Sequence, residues 1–156
     1  MVEVFRSGLL AAVPHGFLGR RGGVSVGAVA GLNAGLGSGD ADKAVAQNRA
    51  IAVDAVRPGA RLVSVYQIHS ADCVTVREPW SDADRPRADA LVTDRPGLVL
   101  GIVTADCAPV LLADPAVGVV GAAHAGWKGA VAGVTDAALS AMEALGARRE
   151  RIVGAI

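Results

Sequence analysis

A chain of 156 residues, 52% apolar and 19% charged, is long enough for one domain with a real core and scarcely for two. Its 15 Lys and Arg balance 15 Asp and Glu, and without a basic block this argues against nucleic acid as a main partner. No apolar stretch of spanning length runs free of Asp, His or Lys, the start lacks the order of a secretory signal, and Cys73 and Cys107 are too few for a disulfide framework, so no membrane association and a reducing cytoplasm are expected.

In chain order, residues 17–39 form a glycine-rich segment, GRRGGVSVGAVAGLNAGLGSGD at its heart, which reads equally as a structural loop or a ligand-contacting one. It matches no strict Walker or dinucleotide fingerprint. Residues 40–56 read as a helix capped by Asp40 or Asp42, with Ala41, Val45, Asn48, Ala52 and Val56 at helical spacing. Asn48 breaks that stripe and needs a partner if buried. Residues 62–66 and 73–76 read as strands flanking Gln67-Ile68-His69-Ser70, and residues 79–87 as a polar loop carrying Trp80.

Further strands are expected over residues 90–93, 98–104, 109–113 and 118–123. Their near-continuous Val, Leu and Ile runs imply that both faces are covered. One helix is expected over residues 129–147, with Val131, Val134, Ala138, Met142 and Leu145 on a single face. The basic residues at 148–151 then mark its C-terminus, where cations suit the macrodipole. The final residues read as the start of a strand in need of partners, so a single domain over residues 1–156, cut short at its C-terminus, is expected. Strands and helices mix without a regular βαβ beat, which favours an α+β fold.

Chemistry concentrates at the strand ends. Of three histidines, His69 and His124 sit there beside Gly, Ser or Asp, as does Cys107, whereas His15 reads as structural. If His69, Cys107 and His124 converge, two imidazoles and a thiolate make a zinc set with one position open for water, whose pKa zinc lowers to about 7. Asp106 could orient a histidine or hold that water. Spacing alone leaves other readings open: a buried, inert Cys107, or Cys107 as a nucleophile with His124 or His69 as its base. Cys73 reads as a core or strand-surface thiol. Trp127 could stack on a planar ligand or simply pack a helix start.

The segments FLGRRGGVSVG, LNAGLGSGD, YQIHS, ADALVTDRPGLVLGIVTADCAPVLLAD and GAAHAGWKGAVAGV occur in this order. Together they resemble the YfiH-like family, also called the laccase-domain or polyphenol oxidase family, whose bacterial members are described as purine nucleoside phosphorylases. The resemblance implies an α+β fold with mixed sheets sandwiched between helices in α/β/β/α layers. It implies a zinc site made by His69, Cys107 and His124. It also implies phosphorolysis of adenosine, inosine, guanosine and methylthioadenosine, with hydrolytic deamination of adenosine. Purine nucleosides and phosphate are then the partners, with Arg20, Asn33, Trp127 and Lys128 as substrate-binding candidates and Cys107, His124 and Asp106 as catalytic ones. Ala34 and Lys128 depart from residues common at those places in the family, and Lys cannot reproduce a bidentate Arg contact.

Two rival readings use the same trio. A copper-dependent polyphenol oxidase would place Cu2+ on the His2Cys set, but such a site usually adds an axial Met, and only Met1 and Met142 exist. A zinc or cysteine amidase editing cell-wall peptide precursors is also compatible with the resemblance. A third possibility is a binding protein in which zinc is only a structural staple.

Overall fold

The computed structural model describes residues 1–156, which divide into two units, Met1–Ala60 and Arg61–Ile156. In the first, strand β1 (Val4–Phe5) pairs antiparallel with β2 (Phe17–Leu18), two elements too short to leave a sequence pattern. Helix α1 runs over Asp42–Val56 and buries Val45, Asn48, Arg49 and Val53, while Ala52 and Val56 of the expected stripe are only half-buried. Its N-cap is Ala41, without a side-chain cap, so the expected capping by Asp40 or Asp42 does not occur. Asp40 instead accepts hydrogen bonds from the Ser25 hydroxyl at 2.5 Å and Asn33 Nδ2 at 2.9 Å. Asp42, in the first turn, sits where a negative charge favours the helix dipole.

Asn48 is fully buried, and the partners it needs come from the glycine-rich segment. Its Oδ1 accepts from the Val24 amide at 2.8 Å. Its Nδ2 donates to Ser25 Oγ, Asn33 O and Gly31 O at 2.8, 2.9 and 3.2 Å. The polar break in the helical stripe thus anchors the loop before the helix. His15 is buried and structural, as its sequence context suggests: Nδ1 donates to Val13 O at 3.0 Å, and Nε2 accepts from the Ser7 amide at 2.8 Å.

The second unit holds seven strands: β3 (Arg61–Ser64), β4 (Cys73–Thr75), β5 (Ala90–Thr93), β6 (Leu98–Gly101), β7 (Ala108–Asp114), β8 (Val119–Ala125) and β9 (Val153–Ala155). Five form a mixed sheet in the order β4-β5-β8-β7-β9, with β4 and β5 parallel and the other pairs antiparallel. Strands β3 and β6 pair parallel in a separate two-stranded sheet. The fold is α+β with mixed sheets, as expected.

Period-two alternation sorts the β5 side chains onto two covered faces. Ala90 and Val92 pack with Val134, Ala138 and Met142 on one side; Leu91 packs with Val63, Val65 and Val76 on the other. All four β5 residues are buried, which explains the apolar run Ala90-Leu91-Val92, and the buried Thr93 donates its hydroxyl to Val76 O at 2.8 Å. Burying a side chain such as Leu91 stabilises the fold by ~1.5–3 kcal/mol. Trp80 closes the second core by donating its Nε1–H to Ser64 O at 2.8 Å.

The single helix expected over residues 129–147 is in fact two, α2 (Trp127–Ala132) and α3 (Val134–Ala144). Gly133 between them adopts φ +93°, a left-handed conformation that ends one helix and lets the next start on a new axis. Val134, Ala138 and Met142 are buried as expected, but Val131, before the break, is 84% exposed. Of the basic residues after α3, Arg149 meets its last turn by pairing with Glu143 at 3.1 Å, but the others do not. Residues Arg149–Arg151 form their own 3-10 turn, and Arg151 pairs with the buried Asp114 at 2.8 Å. The following residues form β9 against β7, in keeping with the expected strand. No helix is long and apolar enough to cross a membrane.

Candidate metal centre

The register of the five-stranded sheet brings distant residues to one of its ends. In the antiparallel pair β7–β8, Ala108 lies opposite Ala125 and Pro109 opposite His124. Cys107, just before β7, and His124, near the end of β8, therefore share a sheet end. On the other side of β8, Ala90 lies opposite Ala123, and the His124 amide donates to Asp89 O at 2.7 Å. The loop from β3 to β4 supplies His69 and returns to the sheet where the Asp89 and Ala90 amides both donate to Asp72 O at 3.1 Å.

At this end the sulfur of Cys107 and one ring nitrogen from each of His69 and His124 lie within 4.8 Å of one another. Cys107 Sγ is 4.0 Å from His69 Nε2, and the two imidazoles meet edge to face with centroids 4.8 Å apart. His124 is buried, Cys107 half-buried and His69 exposed, so the cluster opens to solvent on the His69 side. The donor set and spacing fit a metal with three protein ligands.

Two neighbours shape the cluster. Asp89, fully buried, accepts from His124 Nδ1 at 2.8 Å, which leaves Nε2 as the free nitrogen of that ring. Asp89 also accepts from the amides of Ile68, His69 and Ser70 at 3.0, 3.0 and 2.6 Å, and from Ser70 Oγ at 3.0 Å. Burial alone would raise its pKa, but His124 and these amides outweigh burial and hold the carboxyl below its usual range. Gln67 then ties the His69 loop to the one before Cys107. Its Nε2 donates to Val103 O at 2.7 Å, and its Oε1 accepts from the Val103 amide at 2.9 Å.

The metal candidates His69, Cys107 and His124 thus converge. The carboxylate on His124 is Asp89, however, and not Asp106. Asp106 is exposed beside Cys107, and burial together with the Asp106 and Asp89 charges pushes the Cys107 thiol above its ordinary value. Cys73, half-buried against the helix-side core, is pushed up by burial to about 11. Trp127 does not pack a helix start: it is 74% exposed, with Lys128 Nζ 5.7 Å from its ring centroid. Arg20 and Asn33 belong to the first unit. Arg20 is exposed; Asn33 spends its amide hydrogens on Ser38 Oγ and Asp40 Oδ2, and its Oδ1 accepts from the Gly35 amide. Neither Asp89 nor Gln67 stands out in the sequence. The available signal for Asp89 is an acid directly before the apolar start of a strand, Ala90-Leu91-Val92, which must find donors if that strand is buried.

Residues 14–156 match the protein family described as multi-copper polyphenol oxidoreductase laccase. A purine nucleoside phosphorylase of Streptomyces coelicolor is 51% identical over 140 residues, covering 88% of this chain and 57% of the relative. One of Deinococcus radiodurans is 47% identical over 148 residues, covering 93% of this chain and 56% of the relative. The chain therefore spans just over half the length of these curated relatives. Among solved structures, a Neisseria meningitidis protein superimposes with a TM-score of 0.82 at 34% identity, over 98% of this chain and 60% of its own. The YlmD protein of Geobacillus stearothermophilus gives 0.83 at 29% identity, over 95% and 58%.

Proposed function

This chain belongs to the multi-copper polyphenol oxidoreductase laccase family, and from that membership we propose that it acts as a zinc-dependent purine nucleoside phosphorylase that also deaminates adenosine. The observation that carries the proposal is the convergence of His69, Cys107 and His124 at one sheet end, with Asp89 behind them. Relatives named purine nucleoside phosphorylase support the reaction class, with adenosine, inosine, guanosine and methylthioadenosine as proposed substrates.

Zinc, when bound, supplies Lewis acidity and lowers the pKa of a bound water. The chain's own residues do the rest. His69 and His124 donate ring nitrogens, and Cys107 donates its sulfur once the thiol proton is lost. The raised pKa of Cys107 opposes its use as a free thiolate nucleophile, as a cysteine amidase mechanism would need. Asp106, exposed beside the sulfur, is the proposed proton carrier. The open ring of Trp127 offers a stacking face for a purine, and Lys128 adds positive charge there. Arg20 is proposed as the phosphate contact on the strength of its motif.

We propose zinc over copper, a reading supported by the place of Met142, the methionine of this unit, in the helix-side core. Free Cys73 and Cys107 thiols accord with a reducing cytoplasm. The test is to incubate the whole, metal-replete protein with adenosine and phosphate, with and without chelator, and to follow adenine and inosine by chromatography. Chelator-sensitive release of adenine and formation of inosine are expected; no product in the metal-replete sample overturns the proposal.

A further inference from the structure

We propose that Asp89 is the positioning residue of the metal centre. One buried carboxylate fixes the tautomer of His124 and the backbone of His69 together, so that both imidazoles present ligating nitrogens beside Cys107. The inference rests on reading the cluster as a metal site, and its test separates the two.

Three of the five groups facing Asp89 are backbone amides, which can only donate. They divide between its oxygens: Oδ2 takes Ile68 and Ser70, and Oδ1 takes His69. Both oxygens must therefore be acceptors, which a carboxylate satisfies and an amide cannot. His124 Nδ1 lies 2.8 Å from Oδ1, the oxygen already receiving the His69 amide, so its proton sits on Nδ1 and Nε2 keeps its lone pair. The backbone of the same residue holds His124 a second time, through its amide and Asp89 O at 2.7 Å.

The His69 contact has its own conformational sign. His69 is the one non-glycine residue with positive φ, at +61°. Its amide, and those on either side of it, are the three that point at Asp89. The left-handed turn wraps the loop around the carboxylate and sets the imidazole at the mouth of the cluster.

Asp89→Asn isolates this role because the shape is kept. The Asn oxygen would replace Oδ2, where two amides and the Ser70 hydroxyl converge, leaving the Asn amino group against the His69 amide and His124 Nδ1. The imidazole must then accept at Nδ1 and carry its proton on Nε2, the nitrogen needed for the metal. Long-range nitrogen–proton NMR on metal-free protein should show His124 protonated at Nδ1 in the wild type and at Nε2 in Asp89→Asn. Zinc affinity, measured by chelator competition, should fall about 10- to 100-fold in the variant, with a changed cobalt absorption spectrum. Ser70→Ala, which leaves the carboxylate and its other donors in place, should keep the wild-type tautomer.

A wild-type His124 protonated at Nε2 overturns the inference, and so does an Asp89→Asn protein with unchanged zinc affinity and cobalt spectrum. If the variant does not fold, the wild-type tautomer alone decides. If the wild type takes up no zinc, the metal reading fails, and the tautomer still decides the placement of the proton by Asp89.

Discussion

Gly126 approaches Cys107 so closely that a β-carbon on residue 126 would lie 3.1 Å from the cysteine sulfur and 2.8 Å from His69 Cδ2. The backbone there, φ −65° and ψ 157°, is open to any residue, so only the ligand side chains oppose a larger one. In metal-free protein those side chains can move aside; with a metal holding them they cannot. Gly126→Ala should thus leave the metal-free stability unchanged or raised by up to ~1 kcal/mol through the unfolded state. Its zinc affinity should fall at least about tenfold, by analogy with the cost of disturbing ligand orientation. Thermal unfolding with and without zinc checks both halves. Equal stabilisation of variant and wild type by zinc would exclude the cluster as the binding place.

His69 adopts its left-handed conformation against a cost of ~1–2 kcal/mol for a residue with a β-carbon. His69→Gly removes that cost and the ligand together, whereas His69→Ala removes only the ligand. Both variants should lose zinc. In metal-free protein, the glycine variant should be the more stable of the two by roughly 1 kcal/mol in urea unfolding, despite the added freedom of its unfolded chain. A glycine variant less stable than the alanine one would show that φ +61° carries no strain.

Cys107 and His124 stood out because strand ends punctuate apolar runs, and the runs around them are long; the family resemblance is what joined them to His69 as one ligand set. The double coverage of the strands was legible for the same reason, whereas the mixed sheet was expected from the family resemblance. Asp89 was not, because its partners lie about 20 residues upstream and 35 downstream, and no local period encodes such pairing. The break at Gly133 escaped because apolar spacing continues through it, and a lone glycine within a helical pattern is ordinary. Arg151 looked like a helix-end cation because its true partner, Asp114, sits 37 residues earlier on β7.

That ion pair predicts the acid limb of stability. Asp114 is held below its ordinary 3.8 chiefly by hydrogen bonds from Arg151, with the Arg148 and Ala116 amides adding to them against burial. Asp89 is likewise lowered. The folded chain therefore binds fewer protons than the unfolded one as the pH falls through the carboxylate range. The stabilisation is complete above the unfolded value near 4 and fades through the lower folded values. Melting temperature should drop steeply between about pH 4 and pH 2 in the wild type. Asp114→Asn should start lower at neutral pH and show a shallower drop, and parallel curves for the two proteins would count against this role of Asp114.

Alkylation separates the two thiols. Cys73, with its pKa pushed up to about 11 by burial, holds only about 0.1% thiolate at pH 8 and should resist iodoacetamide. Cys107, raised by burial and by the Asp106 and Asp89 carboxylates, should react slowly near pH 7 in metal-free protein and faster as pH rises. A bound metal takes up the same thiolate, so saturating zinc should block Cys107 across the whole pH range, and chelator should restore its labelling. Mass spectrometry of the digested protein reads each site separately. Rapid labelling of Cys107 at neutral pH would point to an activated nucleophile and revive the cysteine amidase mechanism. Labelling indifferent to zinc would remove Cys107 from the ligand set, leaving two histidines that cannot hold a three-ligand site.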